Sequence, residues 1–184
     1  DIVITLSRPL VGDKPLTLHS HVPENLPAVF ADEDRLLQIL HNLIGNAVKF
    51  TTQGGVAVDC CLVESSDARQ KIKISISDTG IGIDQKDQRN IFFAFSQGDP
   101  GTSRKFGGTG LGLVISKKLM QEMQGDIKVE SVKGIGSCFE IIMNCETQHL
   151  SLVDSYQQPE DKAIAPQTLH SHKVKVLVAE DNTD

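Results

Sequence analysis

Asn42 and Asn46 stand four residues apart in DRLLQILHNLIGNAVKFT (34–51), with Lys49 just beyond them. On a helix that spacing puts both amides on one face and the ammonium one step round its edge. An asparagine oxygen is a neutral hard ligand for Mg2+, and a lysine meets phosphate oxygens as a point charge. The same three residues also suit the solvated face of an amphipathic helix, and alone they leave both readings open. Asp78 opens DTGIGI (78–83), where Gly80 and Gly82 allow the backbone to turn tightly and approach a flat ligand. A carboxylate accepts hydrogen bonds, so it suits the exocyclic amine of adenine and repels the oxygen that guanine carries there, although Asp-Thr-Gly is also a common turn. GGTGLGL (107–113) places Gly108, Gly110 and Gly112 directly before a helical pattern, so that backbone N–H groups and the positive helix end face an anion. It is neither the P-loop pattern nor a G-x-G-x-x-G following a strand, and its alternative is a flexible loop without a ligand.

These residues need elements to hold them. LTLHSHV (16–22) alternates as a half-buried strand and is closed by Pro23 and Pro27. Asp32 then begins a helix to about Thr51, with Leu36, Leu37, Leu40, Leu43, Ile44, Ala47 and Val48 forming one apolar stripe. VAVDCCLV (56–63) and KIKISISD (71–78), joined by the polar ESSDARQ, predict an antiparallel hairpin with one buried face. A short helix from Gln85 to Phe92 leads into a mobile loop, Ser96 to Gly110. A helix from Leu111 to about Met123 ends at Gly125, and the strands DIKVESV (126–132) and SCFEIIM (137–143) follow around a Lys133-Gly134 turn. Residues 144–172 shift to Gln, Ser, Pro and His and read as a linker. KVKVLVAEDNTD (173–184) resumes a buried-strand pattern ending in acids, and no internal repeat is visible.

The 184 residues carry 18 Lys and Arg against 24 Asp and Glu, a formal charge of −6, which disfavours nucleic-acid binding through bulk positive charge. Hydrophobic residues at 39% and charged residues at 23% suit one ordinary domain with a stub of a second, and argue against disorder, collagen or a disulfide scaffold. Cys60, Cys61, Cys138 and Cys145 form no C-x-x-C and have no histidine at metal-ligand spacing, so they read as reduced, cytosolic thiols, with Cys60 and Cys61 on opposite strand faces. No run approaches the ~18 apolar residues of a membrane span, and DIVITLSRPL lacks the pattern of a signal peptide, so no membrane contact is expected of these residues. The chain begins without Met and reads as a piece of something longer.

Taken in order, the motifs resemble the ATP-binding catalytic domain of sensor histidine kinases, in the superfamily that includes gyrase, Hsp90 and MutL. Residues 34–51 resemble the N box, DTGIGI (78–83) the G1 box, IFFAFSQGD (91–99) the F box and GGTGLGL (107–113) the G2 box, over roughly residues 15–143. The resemblance implies a Bergerat ATP-binding fold, an α+β two-layer sandwich with a mixed, mainly antiparallel sheet of about five strands and helices on one face. It also implies Mg2+ and ATP. Asn46 would hold the Mg2+ that bridges the triphosphate, with Asn42 beside it, and Lys49 would contact phosphate. Asp78 would take the adenine amine, with Gly80 and Gly82 shaping the pocket. Phe92 and Phe95 would anchor the ATP lid, Arg104 and Lys105 would lie near the γ-phosphate, and Gly108, Gly110, Leu111 and Gly112 would offer N–H groups. The F box departs from the usual IFEPF: Phe93 and Ala94 stand where glutamate and proline are expected, which predicts altered lid dynamics and retained binding. In gyrase-like ATPases a glutamate one helical turn before the magnesium asparagine activates water. Here that place is Asn42, and an amide cannot serve as that base, so slow hydrolysis is expected.

None of His19, His21, His41, His149, His170 or His172 sits in a phosphoacceptor context, so the acceptor histidine would belong to a separate dimerisation domain, with 1–14 a helical stub following it. VKVLVAEDN (174–182) resembles the first strand of a receiver domain, whose acids would be Glu180 and Asp181. The expected layout is 15–143 catalytic domain, 144–172 linker and 173–184 truncated receiver, within a hybrid histidine kinase. Its partners would be the parent's dimerisation domain and receiver, with these residues monomeric, the parent a homodimer, and the location cytoplasmic with the parent's anchoring in the inner membrane left open. The rivals are a gyrase- or Hsp90-like ATPase and a degenerate docking domain.

Overall fold

The computed structural model describes residues 2–65, 69–93 and 110–146. Helix α1, Ile2–Val11, is followed by strand β1, Leu16–His21, helix α2, Glu33–Phe50, and strands β2, Gly54–Ser65, and β3, Arg69–Asp78. A single turn of helix, α3, Gln85–Gln88, precedes helix α4, Gly112–Glu122, and strands β4, Asp126–Val132, and β5, Gly136–Glu146.

The strands form one sheet in the order β1-β2-β3-β5-β4. β1 runs parallel to β2, with α2 as the crossover between them, and every other pairing is antiparallel. The sheet is thus mixed and mainly antiparallel, as the motif order implies. Period-two alternation sends Val56, Val58, Ile72, Ile74, Ile76, Phe139, Ile141 and Met143 to the core face. Against them lies the apolar stripe of α2, Ile39, Leu40, Leu43, Ile44, Ala47 and Val48, joined by Met120 of α4. Each such fully buried Ile or Leu contributes roughly 2 kcal/mol of transfer free energy, which is what holds α2 to the sheet. Cys60 lies on this core side and Cys61 is exposed, so the two thiols do take opposite faces.

The helices begin and end where local chemistry requires. Asp32 caps α2 by accepting from the Arg35 N–H at 3.1 Å, and Glu33 and Asp34 add negative charge to its first turn. At the other end the Lys14 ammonium donates to the carbonyls of Val48, at 2.7 Å, Thr51, at 3.3 Å, and Lys49, at 3.4 Å. A cation there satisfies carbonyls that have no partner inside the helix.

The N-terminal stub is helical, as expected: α1 buries Val3, Ile4 and Ser7. Other elements differ from the sequence pattern. β2 begins at Gly54, two residues ahead of the expected start at Val56, because Gly54 and Gly55 pair with Leu16 and Thr17 of β1. β5 runs past Met143 to Glu146 because Asn144, Cys145 and Glu146 meet Lys71, Gln70 and Arg69. The short helix after Asp84 stops at Gln88, and residues 89–93 continue as turns. Among the described residues no helix is long and apolar enough to cross a membrane.

Candidate functional site

α2 and α4 pack side by side in opposite directions. Arg35, near the start of α2, pairs with Glu122 at the end of α4 at 2.8 Å, and Asn42 Nδ2, two turns later, donates to Ser116 Oγ at 2.9 Å. Ser116 is buried, so this amide–hydroxyl bond is shielded from water. The Asn42 side chain also lies directly against the Cα of Gly112, where any Cβ would collide with its amide. The antiparallel packing therefore brings the N-terminal end of α4, with Gly110, Leu111 and Gly112, beside the asparagine face of α2. The positive end of α4 thus lies beside the Asn42 amide.

Asn42, Asn46 and Lys49 line one open groove of about 450 Å3, together with Leu10, Lys14 and His41. Lys49 also holds its ammonium 5.2 Å from the centre of the Phe50 ring. Among the described residues no group of three His, Cys, Asp or Glu side chains could hold a metal ion. A lone amide oxygen suits an ion that keeps most of its ligands from phosphate and water, as Mg2+ does, so the donor set fits a magnesium that enters with a triphosphate.

Asp78 does not line that groove. It ends β3 just beyond the C-terminus of α2, where Asp78 Oδ1 accepts from the Gly80 N–H at 2.8 Å. Gly80 fits because its Cα approaches the turn after α2: a Cβ would lie 2.5 Å from the Phe50 carbonyl and 2.9 Å from Thr51 Oγ1. Gly82 has φ +63° and packs against the Val132 carbonyl. Burial raises the Asp78 pKa above its ordinary value, and hydrogen bonds from the Gly80 N–H and from the Ser137 N–H and hydroxyl partly oppose that rise. Next to it, Thr51 is fully buried and its hydroxyl has no hydrogen-bond partner among the described residues. A buried donor of this kind is ordinarily satisfied by a ligand or an ordered water, which fits a nucleotide base at this turn.

The F-box start is pinned from α4. Lys117 stands 5.1 Å from the centre of the half-buried Phe92 ring, pairs with Asp126 at 2.5 Å and donates to the Ile127 carbonyl at 2.6 Å. Phe93, in place of the usual glutamate, is 64% exposed. Ala94, Phe95, Arg104, Lys105 and Gly108 lie outside the described residues.

Asn42, Asn46 and Lys49 thus line one groove, with Gly112 at the start of α4 against Asn42, while Asp78, Gly80 and Gly82 form a second cluster beyond Phe50 and Thr51. Sequence reasoning missed Lys14, Thr51, Ser116, Ser131 and Ser137. Lys14 and the serines have no local signature, because their partners lie on other elements; Thr51 was read only as the end of the helix.

Residues 31–147 match the family described as histidine kinase-, DNA gyrase B-, and HSP90-like ATPase. The chain is 46% identical over 142 residues to the sensor histidine kinase GacS of Pseudomonas protegens, covering 77% of this chain and 16% of the relative. It is 39% identical over 178 residues to the autoinducer 2 sensor kinase/phosphatase LuxQ of Vibrio cholerae, covering 95% of this chain and 20% of the relative. The chain thus spans between a sixth and a fifth of the length of these curated relatives. Among solved structures, full-length ShkA in complex with AMPPNP is similar with a TM-score of 0.67 and 36% identity, over 79% of this chain and 29% of that one. The match covers more than half of the chain, and the chain belongs to the histidine kinase-, DNA gyrase B- and HSP90-like ATPase family.

Proposed function

We propose that this chain is the catalytic domain of a hybrid sensor histidine kinase, which binds Mg-ATP and hands the γ-phosphate to a histidine on a separate dimerisation domain. The observation that carries this reading is Asn42. One helical turn before Asn46 stands an amide already bonded to Ser116, so no carboxylate is available there to activate water. Binding without rapid hydrolysis suits phosphate transfer to a protein side chain.

On this reading Asp78 receives the adenine amine, Gly80 and Gly82 admit the flat base, and the Thr51 hydroxyl meets the base directly or through a water. Asn46 and Lys49 take the phosphate end, with the N–H groups of Gly110, Leu111 and Gly112. Asn42 keeps α4 aligned with α2, so that those N–H groups stay aimed. Arg104, Lys105, Phe95 and Gly108 complete the lid side. Magnesium, held by Asn46 and the phosphates, would neutralise charge on the transferring group. The catalytic domain runs from residue 15 to the end of β5 at Glu146, the linker follows to 172, and 173–184 are the first strand of a receiver whose acids are Glu180 and Asp181. The partners are then the dimerisation domain and the receiver of a homodimeric parent, with these residues themselves monomeric.

Calorimetric titration with ADP and a non-hydrolysable ATP analogue, with and without Mg2+, tests the site. A turnover assay alone and with an added phosphoacceptor domain tests the reaction. The expected result is adenine-specific, magnesium-assisted binding, slow turnover alone and phosphorylation of the added histidine. Rapid ATP hydrolysis by the chain alone would instead favour a gyrase-like machine, and absence of nucleotide binding a docking domain.

A further inference from the structure

Lys14 lines the same groove as Asn42, Asn46 and Lys49, a place where an ammonium would ordinarily meet an anion. Its donors are already committed. An ammonium has three N–H bonds, and here Nζ faces three carbonyls: Val48 at 2.7 Å, Thr51 at 3.3 Å and Lys49 at 3.4 Å. No N–H is left over for a phosphate. The end of α2 needs such a partner, because Thr51 leaves the helix in extended backbone, φ −103° and ψ 120°, and no left-handed residue there turns the following N–H groups back onto the last carbonyls.

Lys14 is itself held in place. Its N–H donates to the Val11 carbonyl at 3.2 Å, its carbonyl accepts from the Leu16 N–H at 2.8 Å, and the neighbouring Pro15 carbonyl accepts from the Gly54 N–H at 3.1 Å. The turn between α1 and β1 is thus tied to the start of β2 and grips the end of α2. Both ends of the proposed nucleotide site hang on that last turn of α2. Asn46 and Lys49 line the groove from it. The Phe50 carbonyl accepts from the Ile81 N–H at 3.3 Å, and Thr51 stands against Gly80, two residues from Asp78. Fraying of this turn would change the separation between the phosphate groups' partners and the base acceptor.

We infer that Lys14 is a positioning residue of the nucleotide site: it fixes the last turn of α2, and with it the spacing between the base end and the phosphate end, and it does not itself take phosphate. This rests on the reading of the two clusters as one nucleotide site. Lys14 acts through the carbonyls of Val48, Lys49 and Thr51. Its removal leaves each end able to bind its own part of a nucleotide, while the advantage of holding both parts at a preset distance is lost.

The test is titration of the whole chain in Mg2+ with three probes, ADP, adenosine and pyrophosphate, for the unmutated protein, Lys14→Met, Lys14→Arg and Lys49→Met, with melting curves as the control for folding. Lys14→Met should bind ADP about 10-fold more weakly, while adenosine and pyrophosphate each stay within about 2-fold, because the preset spacing is lost and neither contact is. Lys14→Arg keeps the charge, but its flat fork cannot converge three donors from one nitrogen, so ADP should weaken in the same selective way and to a smaller extent. Lys49→Met should weaken ADP and pyrophosphate together. If Lys14→Met binds ADP unchanged, or loses pyrophosphate as strongly as ADP, the inference fails while the nucleotide reading stands. If the unmutated protein does not bind ADP, the nucleotide reading fails and takes the inference with it. Should Lys14→Met not fold, Lys14→Arg is read in its place: a loss confined to ADP supports the positioning role, and unchanged ADP binding overturns it.

Discussion

The two ends of the proposed nucleotide site are built on opposite plans. At the base end, Asp78 is half-buried, accepts from the Gly80 N–H, and is set in a turn whose glycine leaves no room for a methyl group. At the phosphate end, Asn42, Asn46 and Lys49 line an open groove, and of these Asn42 is also held by its bond to Ser116. The difference follows from what each end must recognise. A base is told apart by one hydrogen-bonding edge, which only a prebuilt acceptor can read. Phosphate is recognised by charge and by N–H groups, which tolerate some movement and are helped by a mobile ion.

The sharpest challenge to this contrast is Asp78→Asn, which keeps the shape and removes the charge. ADP affinity should fall by about 100-fold in calorimetry, since the lost bond involved a charged group. Its companion is a pH series. The folded state holds the Asp78 proton more tightly than the unfolded state, because burial outweighs its hydrogen bonds. This group's ionisation therefore subtracts from the stability of the nucleotide-free protein as pH rises through the raised pKa. Nucleotide affinity runs the other way and is lost as pH falls through the same range. The ADP-induced gain in melting temperature should accordingly shrink on the acid side.

A second comparison uses two glycines. At Gly80 an added methyl meets the Phe50 carbonyl at 2.5 Å, and backbone cannot yield, so Gly80→Ala should cost about 2–3 kcal/mol in urea unfolding. At Gly112 the obstacle is the Asn42 amide, a side chain that can turn away at the expense of its bond to Ser116, so Gly112→Ala should cost about 1 kcal/mol. Equal losses at the two positions would erase the distinction between a rigid base end and an adaptable phosphate end.

Lys14→Met keeps the aliphatic stem and removes the ammonium that meets three carbonyls at the end of α2. We expect a loss of about 1–2 kcal/mol, with nucleotide binding weakened to the extent that Lys49 and Thr51 shift. The smallest effect belongs to the open face of the sheet. There Lys73 pairs with Glu140 at 2.9 Å, in water-screened surroundings, and Lys73→Met should leave the urea midpoint within its experimental error.

Much of this architecture was legible in the residues. The stripe of α2 and its Asp32 cap, the alternation of β3 and the Lys133-Gly134 turn are local patterns, and each became the expected element. The face shared by Asn42, Asn46 and Lys49 follows from helical spacing alone. Strand ends were less legible: Gly54, Gly55 and residues 144–146 carry turn-like or polar types and became strand because a partner strand lay alongside. The packing role of α1 was hidden for a similar reason, since Val3 and Ile4 find their apolar surroundings only in the assembled fold.

By itself, then, the amino-acid sequence determined which residues could do chemistry and which short elements would carry them, because helical and strand periodicity are properties of neighbouring residues. Only the tertiary structure decided that Asn42 would face Ser116 and Gly112, that Lys14 would close α2, and that Ser131 and Ser137 would line up behind Asp78. Those contacts depend on how helices pack and on the register between strands far apart in the chain, and a shift of one residue in β5 would turn Ser137 to the other face of the sheet.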